Sequence, residues 1–216
     1  MESIFEKRLT VTPDYCDASG ALSPLAAFTI FQGIAAQHAE VLGVGSSAMA
    51  KKGEFWLTVH TRVDLFERAY LMDELTVRTW AEACSERDVR TYRSYTLSRG
   101  EAVIARGKTE WAILGPEQKI IRFGDSGFPK DYPFPAETAI PEKLQRHEKF
   151  EDADLFSHYA VRSTDIDLGH HMNNVAYVRL LLDCFSAKEL ASGNIQSVEL
   201  HYSTPCFEGE ALTVYK

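Results

Sequence analysis

The chain has 216 residues, 45% of them hydrophobic, which is enough for one large domain or two small ones with a proper core. Its formal net charge of −8 argues against nucleic acid and an anionic membrane as partners. No apolar run of about 18 residues occurs and the N-terminus lacks the pattern of a signal peptide, so we expect a cytoplasmic protein. The cysteines lack CxxC spacing and are predicted to be reduced thiols: Cys16, Cys84, Cys184 and Cys206.

The N-terminal region predicts a strand followed by a long buried helix. The strand is expected over Glu6–Pro13 and the helix over Pro24–Leu42, with Ser23 as the N-cap and proline at the first helical position. The first three turns of this helix are apolar on most of their circumference, unlike those of a surface helix with one apolar stripe. Other elements must therefore wrap around it.

Four extended runs follow the helix, and we interpret them as antiparallel strands. They span Phe55–Phe66, Glu74–Cys84, Asp88–Ser98 and Ala102–Leu114. The last run alternates between charged and apolar residues, which is typical of a strand with one buried face. One helix followed by long antiparallel strands predicts an α+β fold whose sheet curls around the helix.

Residues 116–150 differ in texture from the rest, since they contain five of the eight prolines of the chain. We interpret this proline-rich segment as a linker because it is longer than ordinary loops. It would join an N-terminal unit, residues 1–115, to a C-terminal unit, residues 151–216.

An internal repeat supports this division into two units. VTPDYCDASGALSPLAAF at 11–28 matches VRSTDIDLGHHMNNVAYV at 161–178, and further along LTV at 75–77 matches LTV at 212–214. Ala21 stands where the second copy has His171, so we expect one active site per chain. The second copy reaches Lys216 within its third strand, which suggests a C-terminal truncation or a small second sheet with an exposed edge.

A cluster of acidic, imidazole and amide side chains precedes the second predicted helix, Asn174–Leu190. Its members are Asp165, Asp167, His170, His171, Asn173 and Asn174. Asn173 and Asn174 are natural N-cap residues, so the free N–H groups and the positive end of the helix dipole would point at Asp167 and His171. Such a place suits a carbonyl that becomes an oxyanion.

The individual residues of the cluster have structural alternatives. Asp167 could cap backbone N–H groups, as its counterpart Asp17 in the first copy would. We favour a catalytic role for His171 and a capping or orienting role for His170. A zinc site is the rival explanation, but two adjacent histidines rarely aim at one ion, so we predict neither a metal nor another cofactor.

The sequence D-L-G-H-H-M-N-N-V-A-Y at 167–177 resembles the D-x-N-x-H-x-N-N-x-x-Y motif of plant and bacterial acyl-acyl-carrier-protein (acyl-ACP) thioesterases. The likeness extends over nearly the whole chain, including EKRLTVTPDYCDASGALSPLAAFTIFQGIAAQHAEVLG near the N-terminus and YSTPCFEGEALTV near the C-terminus. It implies a double hotdog fold, in which two helices are each wrapped by a curled antiparallel sheet. It also implies hydrolysis of a fatty acyl thioester.

Carried over residue by residue, the resemblance places Asp167 at the motif aspartate, His171 at its histidine and Cys206 at the cysteine of the following strand. Asn173 is the fourth catalytic candidate, because the helix N-terminus that begins near it would polarise the thioester carbonyl. The chain departs from the family pattern twice: Gly169 replaces an asparagine and Pro205 replaces a glutamate. Either Cys206 or a water is then the nucleophile. We favour water, because Gly169 would leave room for it where the asparagine side chain would be.

The leading functional hypothesis is hydrolysis of fatty acyl-ACP thioesters, with ACP as the protein partner. The acyl chain would lie in an apolar slot beside Phe28, Phe31, Trp56 and Asn174. The alternatives are an acyl-CoA thioesterase of the hotdog class and a catalytically silent acyl-binding protein, the latter motivated by the two departures. The oligomeric state is left open, a homodimer being one alternative.

Overall fold

The computed structural model describes residues 2–145, 153–193 and 195–216. Its helices are α1 (Pro24–Val41), α2 (Ser46–Ala50), α3 (Asn174–Leu182) and α4 (Ala187–Ala191). Its strands are β1 (Phe5–Thr10), β2 (Phe55–Leu65), β3 (Glu74–Ala81), β4 (Thr91–Arg99), β5 (Ala102–Leu114), β6 (Ile120–Ile121), β7 (Leu155–Ala160), β8 (Ser197–His201) and β9 (Ala211–Tyr215). Within these ranges no helix is both long and apolar enough to cross a bilayer.

The strands form one large antiparallel sheet and one small one. The large sheet has the order β1-β3-β4-β5-β2-β8, with β6 added beside β5. Strand β8 belongs to the C-terminal unit but pairs with β2 of the N-terminal unit, Arg62 facing Glu199. The large sheet therefore runs across both copies of the repeat, whereas β7 and β9 pair separately.

Helix α1 lies against the concave face of the large sheet and confirms the predicted α+β architecture. Ser23 caps it, since its hydroxyl accepts a hydrogen bond from the amide of Ala26 at 3.1 Å. The Phe31 ring stacks on Tyr95 of β4 at a centroid distance of 5.0 Å. Gly107 of β5 faces the same ring, because a Cβ there would lie 2.7 Å from Phe31 Cδ2. The large sheet thus packs against the helix that the sequence predicted to be apolar on most of its circumference.

The second predicted helix, Asn174–Leu190, is wrong at its C-terminal end. Helix α3 ends at Leu182 and α4 begins at Ala187. The break follows from a capping box: Ser186 Oγ accepts from the Glu189 amide at 3.2 Å, and the Glu189 carboxylate accepts from the Ser186 amide at 2.7 Å.

Two predicted strands are shorter in the structure. The strand predicted over Glu74–Cys84 ends at Ala81, and the one predicted over Asp88–Ser98 begins at Thr91. Between them, the Ser85 amide donates to the Asp88 carboxylate at 2.8 Å and the Asp88 amide donates back to the Ser85 carbonyl at 3.0 Å. These bonds form a side-chain-closed turn, which removes the residues from the ladder.

The proline-rich segment packs on the large sheet over its described residues, 116–145. On the convex face of the large sheet, Lys108 pairs with Glu82 at 3.3 Å and donates to the carbonyl of Ile140 at 3.0 Å. The indole N–H of Trp80 donates to the carbonyl of Glu137 at 2.8 Å. The segment therefore covers the outer face of the sheet and desolvates a charged pair; residues 146–150 lie outside the described ranges.

The internal repeat is visible in the backbone hydrogen bonds. Two bonds of the first copy have a counterpart 150 positions later before the helix and 137 positions later after it. Leu22 N to Ala69 O at 2.8 Å corresponds to Met172 N to Cys206 O at 2.7 Å, and Val11 N to Asp73 O corresponds to Val161 N to Glu210 O, both at 2.9 Å. The two copies therefore position their motif loops in the same way.

Candidate active site

Asp165 is the residue that organises the motif loop, a role that the sequence did not assign to it. Its carbonyl accepts from the amide of Asn173 at 2.8 Å. Its buried carboxylate accepts from the Tyr159 hydroxyl, the Arg162 amide and the Arg179 guanidinium. Burial alone would raise the pKa of Asp165, but these hydrogen bonds outweigh burial and hold that pKa below its ordinary value. The loop is thereby fixed to β7 and α3.

Asn173 is the N-cap of α3, as predicted. Its side-chain oxygen accepts from the Val175 amide at 2.8 Å, and its carbonyl accepts from the Ala176 amide at 2.9 Å. The expectation that the N–H groups of the first turn are free is therefore wrong for these two. The amide of Asn174, at the first helical position, has no partner inside the helix.

Asp167 and His171 lie close together at the start of α3, which confirms their predicted convergence. His171 Nδ1 is 3.7 Å from Asp167 Oδ1 and 3.4 Å from the Met172 carbonyl. The first distance is too long for a hydrogen bond, so the two side chains are paired by charge and proximity. Asp167 Oδ1 accepts instead from the Gly169 amide at 2.7 Å. The His171 side chain is 31% exposed, so water can reach its ring.

The space beside Gly169 is filled by the His171 ring, which corrects the expectation that it holds a water. A Cβ built on Gly169 would lie 2.8 Å from His171 Nε2. The next residue, His170, is exposed and has a φ of 60°, matching Gly20, with a φ of 78°, in the first copy. His170 thus occupies the left-handed position of the turn.

Cys206 lies in the loop between β8 and β9, so its predicted place in a strand is wrong. Its amide donates to the Tyr177 hydroxyl at 3.0 Å, and its carbonyl accepts from the Met172 amide. Burial, with the neighbouring Cys206 thiol as a further cause, raises the pKa of Tyr177 above its usual range. Among the described residues, Cys206 thus has Tyr177 and Met172 as hydrogen-bond partners, and His171 is not one of them.

A cleft of about 350 Å³, including its open mouth, lies between the two copies beside this loop. Its lining comprises Phe28, Phe31, Gln32, Thr58, Thr61, Thr109, Trp111, Asn174, Val175 and Tyr202. The structure therefore brings Phe28, Phe31 and Asn174 together, as predicted. Trp56 does not line the cleft, because its indole N–H donates to the Val44 carbonyl at 2.9 Å and its ring meets Trp111 edge-on.

The first copy holds the N-terminus of α3 in place through contacts that the sequence did not predict. The Asn174 amide group donates to Thr58 Oγ1 at 2.7 Å, and the Gln32 amide group approaches Asn173 Oδ1 at 3.4 Å. Within the second copy, the Tyr202 hydroxyl also donates to the Asn174 carbonyl, at 3.3 Å. Gln32 was detectable as one of the few polar residues in an apolar helix. The motif and the cleft are thus parts of one arrangement.

Metal-ligand types do not cluster in the described part of the chain. No group of three or more His, Cys, Asp or Glu side chains there has the proximity needed to hold an ion. Asp167 and His171 form only a pair, and Cys206 makes its contacts elsewhere.

Comparison with protein families agrees with this architecture. The model of the acyl-ACP thioesterase N-terminal domain matches residues 2–123, and that of the C-terminal domain matches residues 148–216. The chain is 22% identical over 195 residues to the chloroplastic oleoyl-acyl carrier protein thioesterase of Coriandrum sativum, covering 82% of the chain and 52% of the relative. Thioesterase 1 of the same description from Arabidopsis thaliana is 22% identical over 202 residues, with 85% and 55% covered. The chain thus spans about half the length of the curated relatives it matches.

Solved structures show the same fold. An acyl-ACP thioesterase from Bacteroides thetaiotaomicron superposes with a TM-score of 0.79 at 21% identity, covering 98% of this chain and 85% of that one. The 12:0-ACP thioesterase from Umbellularia californica gives a TM-score of 0.84 at 18% identity, covering 100% and 87%. The fold is therefore the double hotdog. Since the two domain models together match most of the sequence, the chain belongs to the acyl-ACP thioesterase family.

Proposed function

We propose that this protein hydrolyses fatty acyl-ACP thioesters and releases free fatty acid. The observation that carries the proposal is the Asp167–His171 pair at the N-terminus of α3. The first residue of that helix, Asn174, lines the cleft between the two copies. Family membership supports thioester hydrolysis as the reaction class.

In this proposal, His171 is the general base. Nδ1 faces Asp167 Oδ1 at 3.7 Å and the Met172 carbonyl at 3.4 Å, both of them acceptors. The tautomer with its proton on Nδ1 therefore fits these surroundings, which leaves Nε2 to accept a proton. Long contacts of this kind shorten in substrate complexes, so the geometry suits the role.

The reaction then runs as acyl transfer to water. A water attacks the thioester carbonyl carbon while its proton passes to His171 Nε2, and Asp167 stabilises the resulting imidazolium. The negative charge that forms on the carbonyl oxygen is stabilised by the positive end of α3 and by the amide of Asn174, which has no partner inside the helix. Collapse of the intermediate breaks the carbon–sulfur bond, and the leaving thiolate takes the proton from the imidazolium.

The cleft supplies the binding slot for the acyl chain. Phe28 and Phe31 of α1 give it an apolar wall inside the N-terminal unit, residues 1–115, whereas the motif belongs to the C-terminal unit, residues 151–216. Trp56 contributes indirectly, by supporting Trp111. Asn173 acts by capping α3 and so holds the site's helix in position.

Steady-state kinetics on a panel of acyl-ACP substrates of increasing chain length tests the proposal. We expect His171→Ala and Asp167→Asn to abolish most of the turnover. Asp17→Asn is the matched control, because Asp17 is the equivalent aspartate in the histidine-free copy, and it should retain turnover. Detectable hydrolysis that His171→Ala abolishes would eliminate a silent acyl-binding protein. Binding without hydrolysis by the unaltered chain would contradict the proposal.

The carrier is distinguished from coenzyme A by salt dependence. ACP is acidic as a family-level expectation, and a chain of charge −8 needs a local basic surface to receive it. The lining of the cleft contains neither Arg nor Lys, so that surface would lie outside the cleft. Activity on acyl-ACP should fall with rising ionic strength, whereas equal and salt-independent rates on acyl-CoA would favour the acyl-CoA thioesterase.

The cellular setting is also part of the proposal. The four cysteines are free thiols. Free thiols fit the reducing cytoplasm in which we expect the protein to act.

A further inference from the structure

Gly169 lies directly beneath the imidazole of His171. A Cβ at this position would lie 2.8 Å from His171 Nε2, 3.3 Å from His171 Cδ2 and 3.1 Å from Asp167 Oδ1. The first distance is shorter than real Cβ contacts, so a side chain at position 169 would exclude the ring from the place it occupies here. The ring, as the end of a side chain, is the part that would move.

The histidine-free copy shows the complementary arrangement. Position 169 corresponds to Ser19 and position 171 corresponds to Ala21. The loop geometry is the same, since the Ser19 amide donates to Asp17 Oδ1 at 2.8 Å as the Gly169 amide donates to Asp167 Oδ1 at 2.7 Å. This turn therefore accepts a side chain at the position of residue 169 when no ring follows.

Backbone strain does not account for the glycine. Among the described residues, the glycines with a left-handed φ are Gly20, Gly43, Gly53, Gly100, Gly193 and Gly209, and Gly169 is not one of them. Its backbone is therefore open to an alanine or serine, as the serine of the first copy illustrates. What the glycine provides is space for the ring.

We infer that Gly169 is a positioning residue for His171. By having no side chain, it lets the imidazole lie over the main chain with Nδ1 toward Asp167 and the Met172 carbonyl. The departure from the family's asparagine is then an alternative way to fix the base, in which the backbone of the loop supports the ring. The inference about catalysis rests on the proposed function, whereas the inference about the pose of the ring does not.

Gly169→Ala tests the inference. We expect kcat on acyl-ACP to fall ~10-fold to ~100-fold with KM nearly unchanged, since a displacement of about an ångström can cost that much in rate. The ring signals of His171 in ¹H–¹³C NMR spectra, assigned by their loss in His171→Ala, should shift in the same variant.

A double-mutant cycle separates ring displacement from damage to the fold. Gly169→Ser combined with His171→Ala recreates the Ser19 and Ala21 pattern, and its thermal midpoint should equal that of His171→Ala alone. Gly169→Ser by itself should lower the midpoint relative to the unaltered chain. Unshifted ring signals with wild-type kcat in Gly169→Ala would overturn the inference. If the unaltered chain hydrolyses no thioester, the proposed function fails, but the ring signals and the cycle still decide this point.

Discussion

The guanidinium of Arg68 forms an ion pair with the carboxylate of Asp17 in the first copy. In the repeat, Arg68 corresponds to Pro205 and Asp17 corresponds to Asp167. A side chain at position 205 is therefore within reach of the motif aspartate. Proline has no charged side chain and cannot form this ion pair. Asp167 therefore pairs with His171, whose Nδ1 lies 3.7 Å from Asp167 Oδ1.

Pro205→Arg should recreate that ion pair in the second copy and silence the site. The arginine would pair with Asp167 and place a cation beside the imidazole that must become one, so we expect kcat/KM to fall ~10-fold or more. Pro205→Met is the control for loss of the proline and should stay within a few-fold of the unaltered chain. Full activity of Pro205→Arg, with the protein folded, would show that an arginine at position 205 does not pair with Asp167 as Arg68 pairs with Asp17.

Cys206→Ala should retain most of the turnover, whereas Asp167→Asn should lose most of it. The amide and carbonyl of Cys206 are engaged by Tyr177 and Met172, and no hydrogen bond links Cys206 to His171 in the described part of the chain. A thiol needs a base within reach to become a competent nucleophile. Single-turnover measurements with both variants decide the matter. Loss of turnover in Cys206→Ala together with a trapped acyl-enzyme would establish the thiol as nucleophile instead.

The fold was predictable where periodicity and capping act locally. Strand Ala102–Leu114 and helix α1 follow from alternation, from Ser23 and from the apolar circumference of the helix. The break after α3 was also written in the sequence, because Ser186 and Glu189 form a capping box that competes with helix continuation. The flanking residues favour helix, and for that reason the pattern predicts one continuous helix over Asn174–Leu190.

The site was predictable only within its motif. The contacts that tie Asn173 and Asn174 to Gln32 and Thr58 join residues 141 and 116 positions apart, so no local pattern encodes them. Gly169 was predicted to make room for a water. That prediction is wrong because a sequence shows that a side chain is absent but not which neighbour fills the space. Here the neighbour is the ring two residues later.

The wall that Phe31 gives to the cleft predicts a determinant of chain length. The Phe31 ring lies between the cleft and Tyr95, and Gly107 packs against it. Gly107→Ala would push the ring, since the new Cβ would lie 2.7 Å from Cδ2, and should move the preferred acyl chain toward shorter lengths. Phe31→Ala should move it toward longer lengths. The kcat/KM profile over an acyl-ACP panel measures both shifts, and parallel shifts in the same direction would contradict this role.

His38 lies buried at the C-terminal end of α1 and predicts a pH dependence of stability. Its ring stacks on Phe5 at 5.3 Å, and its Nδ1 lies 2.9 Å from Arg93 Nη1. Because an arginine can only donate, Nδ1 must accept and the ring is neutral with its proton on Nε2. Burial, and secondarily the charge of Arg93, lowers the pKa of His38 from 6.5 to about 4.

Between pH 6.5 and about 4 the unfolded chain therefore binds a proton at His38 that the folded chain does not. The free energy of unfolding must fall as the pH decreases through this window, by up to roughly 3 kcal/mol from this group. Carboxylates also titrate near the lower end of this pH window. The unaltered chain is therefore compared with His38→Gln, which has the same carboxylates but no imidazole at position 38. Urea unfolding at several pH values should give the unaltered chain a larger free energy of unfolding than His38→Gln at pH 7. This difference should narrow on acidification, because only the unaltered chain must exclude a second cation beside Arg93. An advantage that stays constant down to about pH 4 would mean that the folded protein accommodates the imidazolium, and that the Arg93 contact does not hold the ring neutral.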